Sequence, residues 1–218
     1  MYSKLSLLIF IFIVVSCKRN KDNMIDISGN VIHAITDQNI GDVQVLLEFK
    51  GFGGSSYSNT YTEIETTTTH QNGTYSFSFE NRNAIEFRIK FSIENFYSEE
   101  TTINPDDLDL TDINIYDKKL NSRSYMILNI NNSFPQNNQD QIVFNFNDFI
   151  FQDPGPGSCF SNIISLTGST ADTTIECQVY GDQNVNFDYF VTKNNITNQY
   201  SGNVLCSTGD TIVKNINY

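Results

Sequence analysis

The sequence predicts an all-β fold of two antiparallel β-sandwich domains in tandem, and three observations lead to this prediction. Apolar and polar residues alternate with a period of two through most of the chain after residue 24. Clusters of Gly, Asn, Asp and Pro interrupt the alternation at short intervals. Apolar residues at the spacing of an amphipathic helix are nearly absent. Short alternating strands between turn-forming residues are typical of sandwiches and small barrels.

Composition agrees with a folded and acidic protein. The 218 residues include 25 acidic and 13 basic side chains, which give a formal net charge of −12. Only 17% of the residues are charged and 13% are aromatic, so the chain lacks the low hydrophobicity of disordered proteins. An acidic surface repels nucleic acid, and we expect no nucleic-acid partner. The length suits one large or two ordinary domains.

The first half contains four alternating segments. The longest runs from residue 85 to residue 93, and a period of two over nine residues predicts a strand with one buried face. Turn-forming residues at 37–39, 51–56 and 71–73 separate the segments. The apolar sets are Ile25, Ile27 and Val31; Val43, Val45, Leu47 and Phe49; Tyr75, Phe77 and Phe79; and Ile85, Phe87, Ile89, Phe91 and Ile93.

Two glycines have predicted structural roles. Gly73 follows Asn72 in a turn that requires a positive φ, which glycine adopts at little cost. Gly29 lies inside an alternating segment, where glycine indicates a bulge or a close approach of another backbone.

Three motifs of the first half occur in an order that resembles the carboxypeptidase regulatory-like domain, a transthyretin-like β-sandwich. They are residues 27–31 (ISGNV), 40–47 (IGDVQVLL) and 69–77 (THQNGTYSF). The resemblance implies a domain at residues 24–118 whose closing strand is 112–115. It also implies a non-catalytic module, of the kind found beside enzymes, in outer-membrane transporters and in envelope lipoproteins, with no active site of its own.

Residues 122–218 alternate as densely as the first half but lack these motifs. A second β-sandwich, with an immunoglobulin-like fold as one interpretation, is predicted for them, and the boundary falls near residues 118–122. A single large sandwich across both halves is the alternative. The alternating sets are Met126, Leu128 and Ile130; Ile142, Phe144 and Phe146; Ile175, Cys177 and Val179; and Phe187, Tyr189 and Val191.

The second half holds three cysteines, which allow three single pairings. Cys159 and Cys206 both flank turn-rich segments near predicted strand ends, so we expect them to form a disulfide. Cys177 shares its predicted strand face with Ile175 and Val179 and is expected to be a buried free thiol. The alternative is that all three thiols are reduced.

The N-terminal segment resembles a bacterial lipoprotein signal peptide. Lys4 precedes a largely apolar stretch at residues 5–15, small Ser16 precedes Cys17, and polar residues follow at 18–23. Eleven largely apolar residues are too few for a membrane-spanning helix, which needs about 20. The resemblance implies that residues 1–16 are a signal peptide, that cleavage falls between Ser16 and Cys17, and that Cys17 carries acyl chains such as palmitate.

We therefore expect a lipid-anchored protein of the cell envelope, placed in the outer membrane. Its membrane contact would be the lipid on Cys17, and residues 17–23 would be a lipidated tether. The sequence leaves open whether the protein faces the periplasm or the cell surface.

No catalytic or cofactor-binding motif is present in the sequence. The only histidines, His33 and His70, have no metal-ligand spacing around them, so we expect neither a metal nor a cofactor. Two functional hypotheses remain. The first is a non-catalytic structural or binding lipoprotein that contacts another envelope protein, a glycan or a peptide. The alternative is an accessory or degenerate enzyme module, directed at glycans or peptides, with a site in residues 122–218 and a carboxylate pair about 5–9 Å apart.

Overall fold

The computed structural model describes residues 23–53, 56–57, 59–147, 159 and 163–218. The predicted signal peptide and the tether up to residue 22 lie outside these residues. The described part of the chain contains sixteen strands and one short 3₁₀ turn, Pro105–Asp107, which confirms the all-β sandwich prediction. None of the helices in these ranges is long and apolar enough to cross a membrane.

Nine strands form the first sandwich. They are β1 (Met24–His33), β2 (Gln44–Gly53), β3 (Ser56–Tyr57), β4 (Thr62–Thr68), β5 (Thr74–Glu80), β6 (Ala84–Ser92), β7 (Glu99–Ile103), β8 (Asn114–Ile115) and β9 (Lys118–Leu120). In one sheet β1 pairs antiparallel with β5 on one side and parallel with β8 and β9 on the other. The facing sheet has the order β4–β2–β6–β7, and the short β3 pairs with the end of β2. Of the closing strand predicted at residues 112–115, only Asn114–Ile115 are in a strand, β8, and β9 continues the pairing with β1.

Seven strands form the second sandwich. They are β10 (Arg123–Asn131), β11 (Gln141–Asn147), β12 (Ile164–Thr167), β13 (Asp172–Tyr180), β14 (Gln183–Lys193), β15 (Ile196–Cys206) and β16 (Thr211–Asn217). Here β10 lies between antiparallel β13 and parallel β16, and the facing sheet has the order β12–β11–β14–β15. This strand order repeats that of the first sandwich, although no sequence motif is shared between the halves.

Each sandwich encloses its own apolar core. The ten residues of β1 alternate between half-buried outward positions and buried inward positions, as a strand with one covered face requires. The first core is formed by residues from Ile25 to Leu120 and the second by residues from Met126 to Tyr218. Fully buried rings such as Phe87, Phe91 and Phe144 each contribute about 1.5–3 kcal/mol of hydrophobic stabilisation.

Gly29 allows the closing segment of the first sandwich to lie directly against β1. A Cβ atom at this position would be 2.0 Å from the backbone oxygen of Tyr116. The same oxygen accepts a hydrogen bond of 2.7 Å from the Tyr75 hydroxyl. The close backbone approach predicted at Gly29 is therefore confirmed, and Gly73 adopts the expected positive φ of 78°.

The predicted disulfide between Cys159 and Cys206 is wrong. Cys159 pairs with Cys177, with their Cα atoms 5.1 Å apart, and Cys206 is a buried free thiol. The prediction relied on nearness to turns, whereas the direction of each side chain decides the pairing. Cys177 does lie on the inward face of β13 as expected, and Cys159 is buried against the same core. Cys206 ends β15 with its side chain wholly inside that core.

Only Asn121 and Ser122 separate the last strand of the first sandwich from the first strand of the second. Backbone hydrogen bonds join the sandwiches at this junction, from Arg123 N to Asn95 O at 2.7 Å and from Tyr97 N to Asn121 O at 3.0 Å. The Tyr97 ring packs edge-on against Tyr180, with the ring centroids 5.3 Å apart.

A histidine from the first sandwich meets a carboxylate from the second at the same interface. The Nε2 atom of buried His33 lies 3.1 Å from a carboxylate oxygen of Asp182. Its Nδ1 atom accepts hydrogen bonds from the backbone N–H groups of Ile35 and Thr36. Because Nδ1 acts as an acceptor, the ring proton lies on Nε2 and faces Asp182.

Replacing Gly29 with alanine should destabilise the first sandwich by at least about 2 kcal/mol, because the new methyl group would overlap a backbone oxygen that cannot swing away. Urea unfolding followed by circular dichroism measures the change. Asp26→Ala, an outward substitution on the same strand, is the matched control and should change stability by no more than about 0.5 kcal/mol. Equal stability of the two variants would contradict the packing of Tyr116 over Gly29.

The cysteine arrangement predicts one protected thiol in the Cys17→Ser chain. Burial raises the pKa of Cys206 to about 11, so its thiol is neutral as well as enclosed at pH 8. A maleimide should label Cys206 only after unfolding, and peptide mapping without reductant should recover Cys159 joined to Cys177. Replacing both paired cysteines with serine should cost about 3 kcal/mol for a loop of this length. Recovery of a Cys206 disulfide would contradict the structure.

Candidate functional site

A cleft of 380 Å³ opens in the second sandwich where the core meets solvent. It continues the inward face of β15, because Asn198 and Tyr200 alternate in period two with core-facing Val204 and Cys206. The lining residues are Phe134, Gln136, Tyr189, Val191, Lys193, Asn194, Asn198, Tyr200, Asn217 and Tyr218.

Stacked aromatic rings lead from the core to the cleft. Phe144, wholly buried, lies parallel to Tyr189, with an interplanar angle of 14° and ring centroids 6.1 Å apart. Tyr189 in turn stacks on Tyr200 at 5.1 Å and 15°. Tyr200 is the solvent end of the row, with 46% of its surface exposed. The row gives the cleft a flat aromatic wall that is supported from behind.

The hairpin between β14 and β15 forms one rim of the cleft. Asn194 and Asn195 are its two central residues, and both have positive φ angles, 51° and 63°. Two such residues between antiparallel strands make a type I′ turn, for which asparagine is well suited. The Asn194 side chain contacts the opposite rim, because it accepts a hydrogen bond from the Asn137 amide at 3.1 Å.

The loop of residues 132–140 forms the opposite rim, and Asp140 fixes this loop by hydrogen bonds from within the protein. Its carboxylate is fully buried and accepts hydrogen bonds from the Asn132 amide at 3.0 Å and from the backbone N–H groups of Gln136 and Asn137. Burial by itself raises the pKa of Asp140, but these hydrogen bonds and the nearby Lys193 outweigh it and lower the pKa below its ordinary value. The carboxylate is therefore ionised and fixes the loop.

Lys193 connects this loop to β14. Its Nζ donates to the Asn132 side-chain oxygen at 2.8 Å and to the Phe134 carbonyl at 2.7 Å, and it lies 3.9 Å from Asp140. The ammonium also sits 5.1 Å from the centroid of the Tyr218 ring. These contacts occupy two of the three donors of Lys193, and Asp140 balances its charge.

Tyr218 follows β16 and forms part of the cleft wall. Its backbone N–H donates to Asn131 O, and its carbonyl accepts from the N–H groups of Ser133 and Phe134. The side chain is 8% exposed, and its buried hydroxyl has no hydrogen-bond partner in the described part of the chain. Burial and the charge of Asp140 raise the pKa of Tyr218, so the hydroxyl keeps its proton.

The residues singled out in the sequence lie elsewhere. Ser16 and Cys17 are outside the described residues, and Cys159 and Cys206 have structural positions in the second core. His33 lies at the interface between the sandwiches, while His70 is exposed at a turn. No group of three or more His, Cys, Asp or Glu side chains within the described ranges is placed to hold a metal ion.

The cleft was not predicted from the sequence, although two signals of it are present there. The pair Asn194-Asn195 between alternating segments is a hairpin signal. The face of β15 then mixes Asn198 and Tyr200 with Val204, a combination typical of a strand face that is covered along only part of its length. The alternative hypothesis required a carboxylate pair, and the described lining of this cleft contains no Asp or Glu.

Comparisons with known proteins give only distant structural likeness. No protein-family model matches the chain, and no curated protein sequence matches it. The TIE protein of Bacillus anthracis is 9% identical with a TM-score of 0.38, over 89% of this chain and 34% of that one. A streptococcal ancillary pilin is 12% identical with a TM-score of 0.34, over 88% and 62% of the two chains. The shaft pilin SpaA of Lactobacillus rhamnosus GG is 6% identical with a TM-score of 0.32, over 88% and 97%.

The chain thus spans about a third and about three fifths of the length of the first two similar structures. At these identities and TM-scores the likeness indicates nothing about what this chain binds. The carboxypeptidase regulatory-like resemblance of residues 24–118 and the lipoprotein resemblance of residues 1–17 stay predictions.

Asp140→Asn should lower the stability of the fold at pH 7 and make that stability less dependent on pH in the acid range. A carboxyl with a lowered pKa stabilises the fold above its unfolded pKa, about 3.9, and loses this contribution as the pH falls through the folded pKa. Thermal unfolding between pH 3 and 7 should therefore show a smaller acid-induced drop for the variant. Asp172→Asn, the same charge change at an exposed strand end, should follow the unsubstituted protein. Parallel profiles for all three proteins would contradict the role assigned to Asp140.

Proposed function

We propose that this chain is a lipid-anchored protein of a bacterial cell envelope, held on the outer membrane by Cys17, and that its two sandwiches act as a non-catalytic structural or binding module. The observation that carries the proposal is the short sequence separation between Cys17, at the end of the signal-peptide-like segment, and the first strand. Because β1 begins at Met24, only residues 18–23 separate Cys17 from the first sandwich. Six extended residues reach at most about 20 Å, so an acylated Cys17 would hold the first sandwich close to the bilayer.

The junction between the sandwiches supports a structural role. A linker of two residues, backbone hydrogen bonds across the interface and the contact between His33 and Asp182 hold the second sandwich against the first. An anchor on one sandwich would therefore also position the other.

The cleft supports a binding role for the second sandwich. Its described lining offers aromatic rings and side-chain amides, which are groups that recognise ligands without reacting with them. The partner would be an envelope protein, a glycan or a peptide, and no nucleic acid, metal or cofactor is required. The resemblance of residues 24–118 to a non-catalytic module of envelope lipoproteins agrees with this role.

Cys17→Ser should move the protein from the membrane fraction to the soluble fraction without unfolding it, because β1 starts seven residues later. Two or three acyl chains hold a protein on a bilayer far longer than one chain does, and the variant would carry none. Fractionation of intact cells, with an alkyne fatty acid as a metabolic label, measures both anchoring and acylation.

Lys21→Ala, which changes the tether but keeps the cysteine, is the matched control and should stay labelled in the membrane pellet. A Cys17→Ser protein that still sedimented entirely with membranes would refute the lipid anchor.

A further inference from the structure

We propose that the cleft of the second sandwich binds a neutral glycan, with Tyr200 and Phe134 as the rings that pack against its sugars. The inference deepens the proposed function and rests on its binding role, but it does not depend on the lipid anchor. Four properties of the cleft support it: exposed rings, paired amides, balanced charge and an unpartnered hydroxyl.

The exposed rings suit the faces of sugars. One face of a pyranose ring presents C–H groups, which pack favourably on the electron-rich face of an aromatic ring. Phe134 is 74% exposed and Tyr200 is 46% exposed, so both have surface free for such contact. Tyr200 is also fixed by its stack on Tyr189, and little conformational entropy would be lost when a ligand packs against it.

The amides suit the hydroxyl groups of sugars. Each amide side chain has both donors and an acceptor, and a sugar hydroxyl can likewise donate and accept. The cleft has four such side chains, Gln136, Asn194, Asn198 and Asn217. The first two are already engaged, because the Asn194 amide donates to the Gln136 side-chain oxygen at 3.4 Å, so Asn198 and Asn217 are the amides offered to a ligand. The volume of 380 Å³ lies in the range of small-molecule sites, about 300–1,000 Å³.

The electrostatics favour a neutral ligand. Lys193 is the only cationic residue in the described lining, and two of its three donors are already used by Asn132 and the Phe134 carbonyl. The ionised Asp140 beneath it balances its charge. An anionic sugar or a phosphate would therefore find no free cation here, and the chain's net charge of −12 would repel it.

The Tyr218 hydroxyl is one of seven buried side-chain atoms without a hydrogen-bond partner in the described part of the chain, and among their residues only Tyr218 lines the cleft. A buried hydroxyl without a partner costs about 1–3 kcal/mol. Asp140 lies nearby but is committed to the loop of residues 132–140. The hydroxyl is enclosed, so a ligand hydroxyl would pair with it only after the Tyr218 side chain turns towards the cleft.

A second copy of the chain is the competing occupant. The end of the first sandwich that corresponds to this cleft, at His33 and the β6–β7 connection, is covered by the second sandwich. That contact uses backbone groups on both sides of a two-residue linker. The cleft instead presents side-chain amides and rings, which favours a small polar ligand.

The test uses the full mature chain with Cys17→Ser, and isothermal titration with hexasaccharides from neutral glucans, xylan, mannan and chitin. We expect at least one of these to bind. Tyr200→Ala should weaken this binding at least tenfold by removing the ring. Tyr218→Phe, which keeps the ring and removes only the hydroxyl, should weaken it about fivefold. Tyr125→Ala, on the outer face at the opposite end of β10, should leave the affinity unchanged.

Circular dichroism verifies that each variant is folded, and Tyr218→Phe keeps the test valid if the alanine variant is unstable. Failure of every neutral glycan to bind would overturn the inference, and so would tighter binding of polygalacturonate, an anionic glycan. Concentration-dependent self-association that Tyr200→Ala abolishes would show that the cleft joins two copies of the chain and would also overturn it. Cell fractionation of Cys17→Ser is independent of these results, so failure of the anchor and failure of the glycan site are distinguishable.

Discussion

In each sandwich the last strand pairs in parallel with the first, and the rest of the sandwich depends on this pairing. In the first sandwich, β8 and β9 lie beside β1 and complete its hydrogen bonding. The segment between them passes so close to β1 that only glycine fits at position 29, and the Tyr75 hydroxyl secures it through Tyr116. Since β9 ends at Leu120, this pairing also determines where the second sandwich begins and which surface it meets.

The same constraint produces the cleft in the second sandwich. There β16 returns beside β10, and Tyr218 at its end accepts hydrogen bonds from Ser133 and Phe134. Leu120 occupies the equivalent place in the first sandwich, where its carbonyl accepts from Ala34. Leu120 is wholly buried at the junction, whereas Tyr218 lines a cleft. One strand order thus gives a covered end in one half and an open, polar end in the other.

The period-two alternation predicts the fold class and most of the strand faces. Successive side chains of a strand point to opposite faces of the sheet, so burial of one face requires apolar residues at every second position. It does not predict which strands pair, since many partners satisfy the same alternation. The shared order of the two halves was therefore invisible in the sequence, and so was the parallel return of β16. The disulfide error has the same origin: Cys177 was placed on its correct face, but the partner that this face meets depends on the three-dimensional path of the chain.

The cleft was missed for a related reason: its residues come from three separate segments. The loop at Phe134, the hairpin at Asn194 and the end of β16 are more than 20 residues apart from one another in sequence. No local motif links them. Only the register of β14 with β15, and of β10 with β16, brings them to the same end of the sandwich.

The buried charges beneath the cleft show how such a site is held open. Removing Asp140 and Lys193 from water is costly, and a buried ion pair is often no more stabilising than apolar residues of similar size. What the pair provides here is position: Asp140 fixes the backbone at Gln136 and Asn137, and Lys193 fixes the carbonyl of Phe134. Apolar side chains could fill this space but could not bind these backbone groups. A loop fixed in this way keeps Phe134 exposed at the rim, so the surface that we propose to bind a glycan would need little rearrangement on binding.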